Sequence, residues 1–440
     1  ISKRNSNLFA AENWEVAYSA YTNVSFKAYD FSTMRASMLN YIRENYPETF
    51  NDYIESSEFV AIIELISYLS QSLAFRVDLN TRENFLSTAQ SKDSILRLAN
   101  MLGYAPKRNI PASGLMKVTS ISTTEPLVDA TGVSIQNTPI LWNDDNNLDS
   151  FDQFVAILNS AMSSNNPFTK PIVEEKVGNI ATEVYALNNR KGDNLTFNFT
   201  ADINGETLPF EIVSSTITEN KVFAEAQPDI YQPMRFVYRN DKKGLESPYT
   251  GFFFMFKQGT LQFSDYIFDR ALANRTINIT DANINETDIF LQQLDENAVR
   301  QETWKRVPNL TGQTLAYNSL SLKTRNVYKV ENTIDDGIVI KFPDGNFGNI
   351  PTGIFRLYYR TSAGTSLNIR PEAFNTVSFD IPYYNSSSEL HNLTVKLELQ
   401  NSVVNSAPAE SLQSIKNNAP QTYYTQDRMV SAQDYNVFPL

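Results

Sequence analysis

Phe59-Val-Ala-Ile62-Ile-Glu-Leu-Ile66-Ser-Tyr-Leu69-Ser-Gln-Ser-Leu73 is the stretch that decides how the first quarter of the chain is read. Phe59, Ile62, Ile66, Leu69 and Leu73 recur at alternating steps of three and four. That is the a/d seam of a helix made to pack against another helix. Val60, Ile63 and Leu65 widen the apolar surface beyond one seam, so neighbours are expected on more than one side. Ser56 or Ser57 can cap this helix, and Glu58 suits its positive first turn. Upstream, residues 31–45 carry Met34, Met38, Tyr41 and Ile42 at helical spacing and stop before Pro47. Downstream, residues 91–102 place Ile95, Leu98, Ala99 and Leu102 on one face, with Gly103 and Pro106 as stop signals.

From Pro111 the period changes. Residues 115–122 read as a strand, 143–150 as a polar loop and 151–162 as a short helix. Residues 190–380 alternate short runs rich in Phe, Tyr, Val, Ile and Thr with turn signals: Lys191-Gly-Asp-Asn, Asn204-Gly205, Asp336-Gly337 and Asp344-Gly345. The apolar runs 252–256 and 261–263 around Gln258-Gly259 read as a hairpin. A last helix is expected near 408–417, with Ser406 as cap and Lys416 in its final turn. The fold class is therefore α+β and multidomain: an N-terminal helical bundle segment, then mostly antiparallel β domains. The expected divisions are 1–106, 107–190, 191–325 (an insertion), 326–400 and 401–440.

Composition narrows the function. The net charge of −12 repels phosphate, which argues against nucleic-acid and anionic-membrane partners. No apolar run is expected to reach the roughly 20 residues of a membrane helix. Cysteine is absent and His391 is the one histidine, so thiolate and multi-histidine metal sites are excluded. No signal peptide is visible. Asp344-Gly-Asn-Phe-Gly-Asn349 spaces oxygen side chains like a calcium loop, but it lacks the glutamate at loop position twelve and the flanking helices. Asp344, Gly345 and Gly348 are better read as a structural turn, a β-hairpin with glycine in the left-handed region. Asp144/Asp145 and Asp335/Asp336 are adjacent pairs, which a strand points to opposite faces, so they read as solvated turns rather than an acid–base couple. The residues thus offer no catalytic group, no metal, no cofactor and no small-molecule substrate.

Three separated segments resemble the baseplate J-like family of contractile phage tails. The first lies in residues 68–113, with Asn80-Thr-Arg-Glu-Asn-Phe-Leu-Ser-Thr-Ala89 and the exit Leu102-Gly-Tyr-Ala-Pro106. The second is Ile340-Lys-Phe-Pro-Asp-Gly-Asn-Phe-Gly-Asn349, followed by Tyr358-Tyr-Arg-Thr-Ser-Ala-Gly364. Pro343 stands where the family often has glycine, and a proline there removes a ladder donor. The third is Ile415-Lys-Asn-Asn-Ala-Pro420, then Tyr424-Thr-Gln-Asp427-Arg428-Met-Val-Ser-Ala-Gln-Asp434-Tyr435. Residues 125–325 are poorly matched.

The resemblance implies a wedge component of a phage tail baseplate in the virion, assembled in the bacterial cytoplasm. Copies would pair as homodimers within a ring around the hub, contact other wedge and hub proteins, and couple receptor-triggered rearrangement to sheath contraction and genome ejection. It also implies further residues after Asp434-Tyr435. A tailspike or adhesin that binds or cleaves host glycans is the competing reading; it predicts a repetitive β-helix and clustered carboxylates. A bacterial surface protein fits poorly without a signal peptide.

Overall fold

The computed structural model describes residues 30–46, 58–162, 171–188, 196–218, 222–308, 310, 325–346, 348–374 and 377–425. The chain divides into two compact units, Ile1–Met101 and Leu102–Leu440. Helices come first and antiparallel sheets after, so the α+β class stands.

In the first unit, α1 spans Phe31–Asn45, α2 Glu58–Glu83 and α3 Lys92–Met101. Asp30 caps α1 by accepting from the Thr33 N–H at 3.1 Å and the Ser32 hydroxyl at 2.6 Å. Those bonds favour the charged form and hold the Asp30 carboxyl below its ordinary range. α1 lies along α2, with Arg35 Nε 3.0 Å from Glu64 Oε1 and the Ser67 hydroxyl 3.6 Å from Met38 Sδ. The Glu83 carboxylate, at the end of α2, accepts from the N–H groups of Gln90 (2.9 Å) and Ser91 (3.2 Å), just ahead of α3. α3 buries Ile95, Leu96 and Ala99, and Gly103 follows at φ +80°.

The second unit holds two large sheets. In the ten-stranded one, β1 (Ser113–Thr123) lies between β10 (Gly251–Gln258) and β19 (Leu390–Leu399). β18 (Val377–Tyr384) closes one end, and β9 (Arg235–Asn240), β4 (Ile180–Ala186) and β3 (Val173–Val177) extend the other. The short β2 (Ile140–Leu141) adds to β1, and the hairpin β5 (Thr196–Ile203) with β6 (Glu206–Val213) adds to β10. That hairpin turns on Asn204-Gly205, both at positive φ, so its two-residue turn is of the type the Asn-Gly pair favours. Every residue of β10 is buried. Phe252, Phe254 and Phe256 face one apolar cluster with Trp142 and with Phe154 of helix α4 (Ser150–Ala161), while Phe253 faces Val184 and Val237 on the other side. The continuous apolar run is that of a strand covered on both faces.

The seven-stranded sheet runs β11 (Thr260–Phe268), β17 (Gly353–Thr361), β13 (Ile284–Leu294), β14 (Arg300–Arg306), β15 (Val327–Asn332), β16 (Ile338–Lys341), β12 (Thr276–Ile279). Its core is Phe268, Trp304, Phe342, Phe355 and their aliphatic neighbours. A small ribbon pairs β7 (Ser215–Ile217) with β8 (Phe223–Glu225). Among the described residues one strand pair, β14 with β15, is parallel.

Four expectations are corrected. β10 and β11 do not form a hairpin: at Gly259 the chain leaves one sheet and starts the other. Gly259 has φ +104°, and a Cβ there would lie 2.1 Å from the Thr361 carbonyl oxygen, so no larger residue fits the crossing. Asp344-Gly345 is not a hairpin either, because β16 and β17, on its two sides, pair with other strands. The last helix, α5, runs Leu412–Thr425 rather than 408–417. Ser411 accepts from the Ser414 N–H at its start, Ser406 instead accepts from the Leu367 N–H, and Lys416 sits mid-helix with Pro420 inside. Lastly, α2 from Val60 to Glu83 is, by length and composition alone, long and apolar enough to cross a membrane, because its charges are sparse until the last turns. The sheets run through positions 190 and 325: strands from 113–258 and 377–399 share one sheet, and strands from 260–361 form the other.

Candidate assembly surface

On α2 the apolar residues sort by face. Val60, Ile63 and Ser67 are buried, the last also bonding back to the Ile63 carbonyl at 2.7 Å. The seam is not buried: Ile62, Ile66, Leu69 and Leu73 are between 44% and 62% exposed. The Phe59 side chain lies outside the described residues. Tyr68, Phe75 and Val77 add to the exposed apolar surface, far beyond the scattered single residues normal on a monomer. Of the flank expected to need a neighbour, Val60 and Ile63 are thus covered within the chain and Leu65 is exposed, while the heptad seam is left open.

At the turn that the sequence reads as structural, Asp344 Oδ1 accepts from the Asn346 N–H at 3.0 Å and Gly345 has φ +98°. A Cβ on Gly348 would sit 2.5 Å from Pro343 Cγ, so this glycine is required by packing. Asp427, Arg428, Asp434 and Tyr435 lie outside the described residues. His391 hydrogen-bonds with the Asn385 side-chain amide, 3.2 Å away. Asp336 occupies a positive-φ turn position and Asp144 accepts from the Asn146 N–H, both as turn residues. Among the described residues, no group of three or more His, Cys, Asp or Glu side chains could hold a metal ion.

Sequence reasoning missed an interior feature: a charged junction between the two sheets. Arg360 of β17 is fully buried and donates to Glu225 of β8 (2.6 and 2.9 Å) and Glu211 of β6 (2.9 and 3.0 Å). Lys257 of β10 sits 3.2 Å from Glu225 and pairs with Asp288. Asp288 comes from a bulge in β13, where the register with β17 jumps between Ile284 and Ile289. The same bulge aims Asn285 inward, to donate to Asp288 (3.1 Å) and accept from Asn109 (2.6 Å) and Ser362 (2.6 Å). Burial pushes the Asp288 carboxyl up, yet Lys257 and Arg360 outweigh it and hold it down at about 2. Burial likewise lowers Arg360, and Glu225, Asp288 and Glu211 more than reverse it. The one advance signal was Arg360 inside Tyr358-Tyr-Arg-Thr-Ser-Ala-Gly364.

A second buried carboxylate, Glu125, ties three elements together. It accepts from the hydroxyls of Ser160 on α4 (2.6 Å) and Tyr383 on β18 (2.7 Å) and from the Asn385 amide (3.1 Å). Burial, with this partner, pushes the Tyr383 phenol above its ordinary value. Glu225 of the junction also lines a small pocket, with Thr196, Ser214, Asp229 and Gln232.

Comparison with known proteins divides the chain where the structure does. Residues 30–101 match the profile of a bacteriophage baseplate protein N-terminal domain, ending at the boundary between the two units. That match supports a structural role in the baseplate of a phage virion, in contact with other baseplate proteins. No curated protein matches the chain. Residues 114–402, about two thirds of the 440, match a second profile, so the chain belongs to the family described as a domain of unknown function (DUF8360).

Proposed function

We propose that this protein is a wedge subunit of a contractile tail, several copies of which form a ring around the central hub. The resemblance of residues 68–113, 340–369 and 410–435 to the baseplate J-like family supports that finer placement. In this reading the copies pair through their helices, the ring hands receptor-triggered rearrangement to the sheath, and the protein contributes no catalysis and no cofactor. The observation that carries it is the open seam Ile62, Ile66, Leu69 and Leu73 on the domain that matches the baseplate profile. A multi-heptad seam left exposed on a permanent subunit calls for a partner helix. The glycan-binding tailspike is disfavoured, since its β-helix would be parallel and repetitive, whereas these sheets are antiparallel with one exception.

The test replaces Ile62 and Leu69 together with Asp. The variant is expected to retain the β-sheet circular dichroism of the second unit and to drop out of assembled baseplates. Particles that assemble normally with it would reject the proposal.

A further inference from the structure

We infer that the free edge of β11 pairs antiparallel with the same strand of a second copy. This deepens the proposed function, and rests on it for the choice of a second copy as occupant.

β11 runs nine residues along β17 in unbroken register, Thr260 opposite Thr361 through Phe268 opposite Gly353. The Leu261 N–H turns away from β17, donating to Glu211 Oε1 at 2.9 Å. In an unbroken antiparallel strand, the backbone groups of Phe263, Asp265 and Ile267 then turn the same way. Among the described residues, nothing bonds to them there. The side chains add to the case: Phe263 is 56% and Ile267 67% exposed. Asp265 is held by both arms of Arg356 at 2.7 Å, and Arg356 stacks on Phe263 at 4.6 Å, so the edge presents no net charge.

Proteins protect open edges with charge, proline or brevity. The other three path-end strands of the large sheets follow that rule: β3 is Val-Glu-Glu-Lys-Val, β18 contains Pro382, and β12 has four residues. β11 is long and free of proline, and its one charge, Asp265, is neutralised by Arg356.

The strand is complementary to itself in one register. With Ser264 on a two-fold axis, all nine residues overlap. Phe263 then meets Asp265 of the second copy in hydrogen-bonded pairs, and Ile267 lies opposite Leu261 by side chain only, since Glu211 already holds the Leu261 N–H. A shift that centres Asp265 would set two carboxylates opposite each other, which is unfavourable. Ser264 falls on a non-hydrogen-bonded position, where facing Cα atoms lie about 4.5 Å apart, within disulfide range.

The chain has no cysteine, so Ser264→Cys introduces a single thiol. Phage baseplates carrying it are oxidised and the chain is followed on non-reducing gels, with Asp269→Cys as the off-axis control. The expected result is a band of twice the mass of the single chain, at least ten-fold stronger than in the control. Adding Ile267→Lys to Ser264→Cys is expected to abolish it. Baseplates that contain the Ser264→Cys chain but leave it monomeric overturn the pairing while the ring stands. In that case a thiol shielded from alkylation means another protein's strand occupies the edge, and a reactive thiol means the edge is open. If the wild-type chain itself is absent from baseplates, the ring fails. The same oxidation of the purified full chain then decides the pairing: a selective dimer supports it, and none overturns it.

Discussion

Arg360→Met removes a buried cation while keeping most of the side-chain volume. In the native junction two cations, Lys257 and Arg360, face three carboxylates, Glu211, Glu225 and Asp288. The variant leaves one cation against three, all closed to solvent. Breaking a buried pair in this way costs about 3–5 kcal/mol, because the stranded charges stay desolvated. With an unfolding entropy of about 2.1 cal/mol/K per residue over the second unit, that corresponds to a melting shift of roughly 4–7 °C. Asp288 also makes the effect depend on pH. Its folded pKa of about 2 lies below its unfolded value, so it contributes stability above that unfolded value and loses it as pH falls towards 2. Without Arg360 one of the two cations that oppose burial is gone, the Asp288 pKa rises, and the acid limb of the stability profile moves to higher pH. Adding Glu225→Gln removes one stranded charge and is expected to restore about half the loss, since the residues share one network. The assay is thermal melting by circular dichroism from pH 7 to pH 3 for wild type, single and double variants. A single variant melting within 1 °C of wild type at pH 7, or a double variant worse than the single, would refute the reasoning.

Other outcomes follow from single positions. Gly259→Ala is expected to destabilise by about 3 kcal/mol, from a left-handed backbone and a clash with Thr361, as read by denaturant midpoint. Gly345→Val should cost about 1–2 kcal/mol, since Gly345 is left-handed and a Cβ there lies 3.1 Å from Ile350; a lost ligand with unchanged melting would show that the turn binds something. Glu125→Ala leaves the Ser160 hydroxyl without its acceptor and takes one partner from Tyr383, which keeps Thr123, and from Asn385, which keeps Glu389 and His391; it should cost about 1–3 kcal/mol, with Glu125→Gln recovering part of it. Elemental analysis of the purified protein should find no stoichiometric metal, and no Asp→Asn change should abolish a glycan-cleaving activity.

Local chemistry was legible in the sequence where it alone decides the structure. The helix 31–45 ends where Pro47 requires it, Asn204-Gly205 makes its two-residue turn, and Phe252, Phe254 and Phe256 fill a central strand. Pairing between distant strands was not legible. Gln258-Gly259 and Asp344-Gly345 carry turn residues, yet each joins strands whose partners lie far along the chain, and no local pattern separates a hairpin from a crossing. The junction was hidden for a similar reason: Glu211, Glu225, Lys257, Asp288 and Arg360 lie up to 149 positions apart and meet only when both sheets form. On α2 the periodicity identified two apolar flanks but could not tell which one α1 would cover.

Two segments of the second unit about 300 residues apart in sequence lie side by side. Ile110 and Ala407 exchange backbone hydrogen bonds at 2.9 and 3.0 Å, and the Tyr104 hydroxyl donates to Glu410 beside them. The two outgoing ends lie at the same end of this antiparallel bridge, so tension applied between the helical segment before it and α5 after it is borne by that short clasp and opens it by peeling. The load bypasses both sheets, and about 300 residues travel as an unstretched passenger on a tether whose length does not change until the clasp opens.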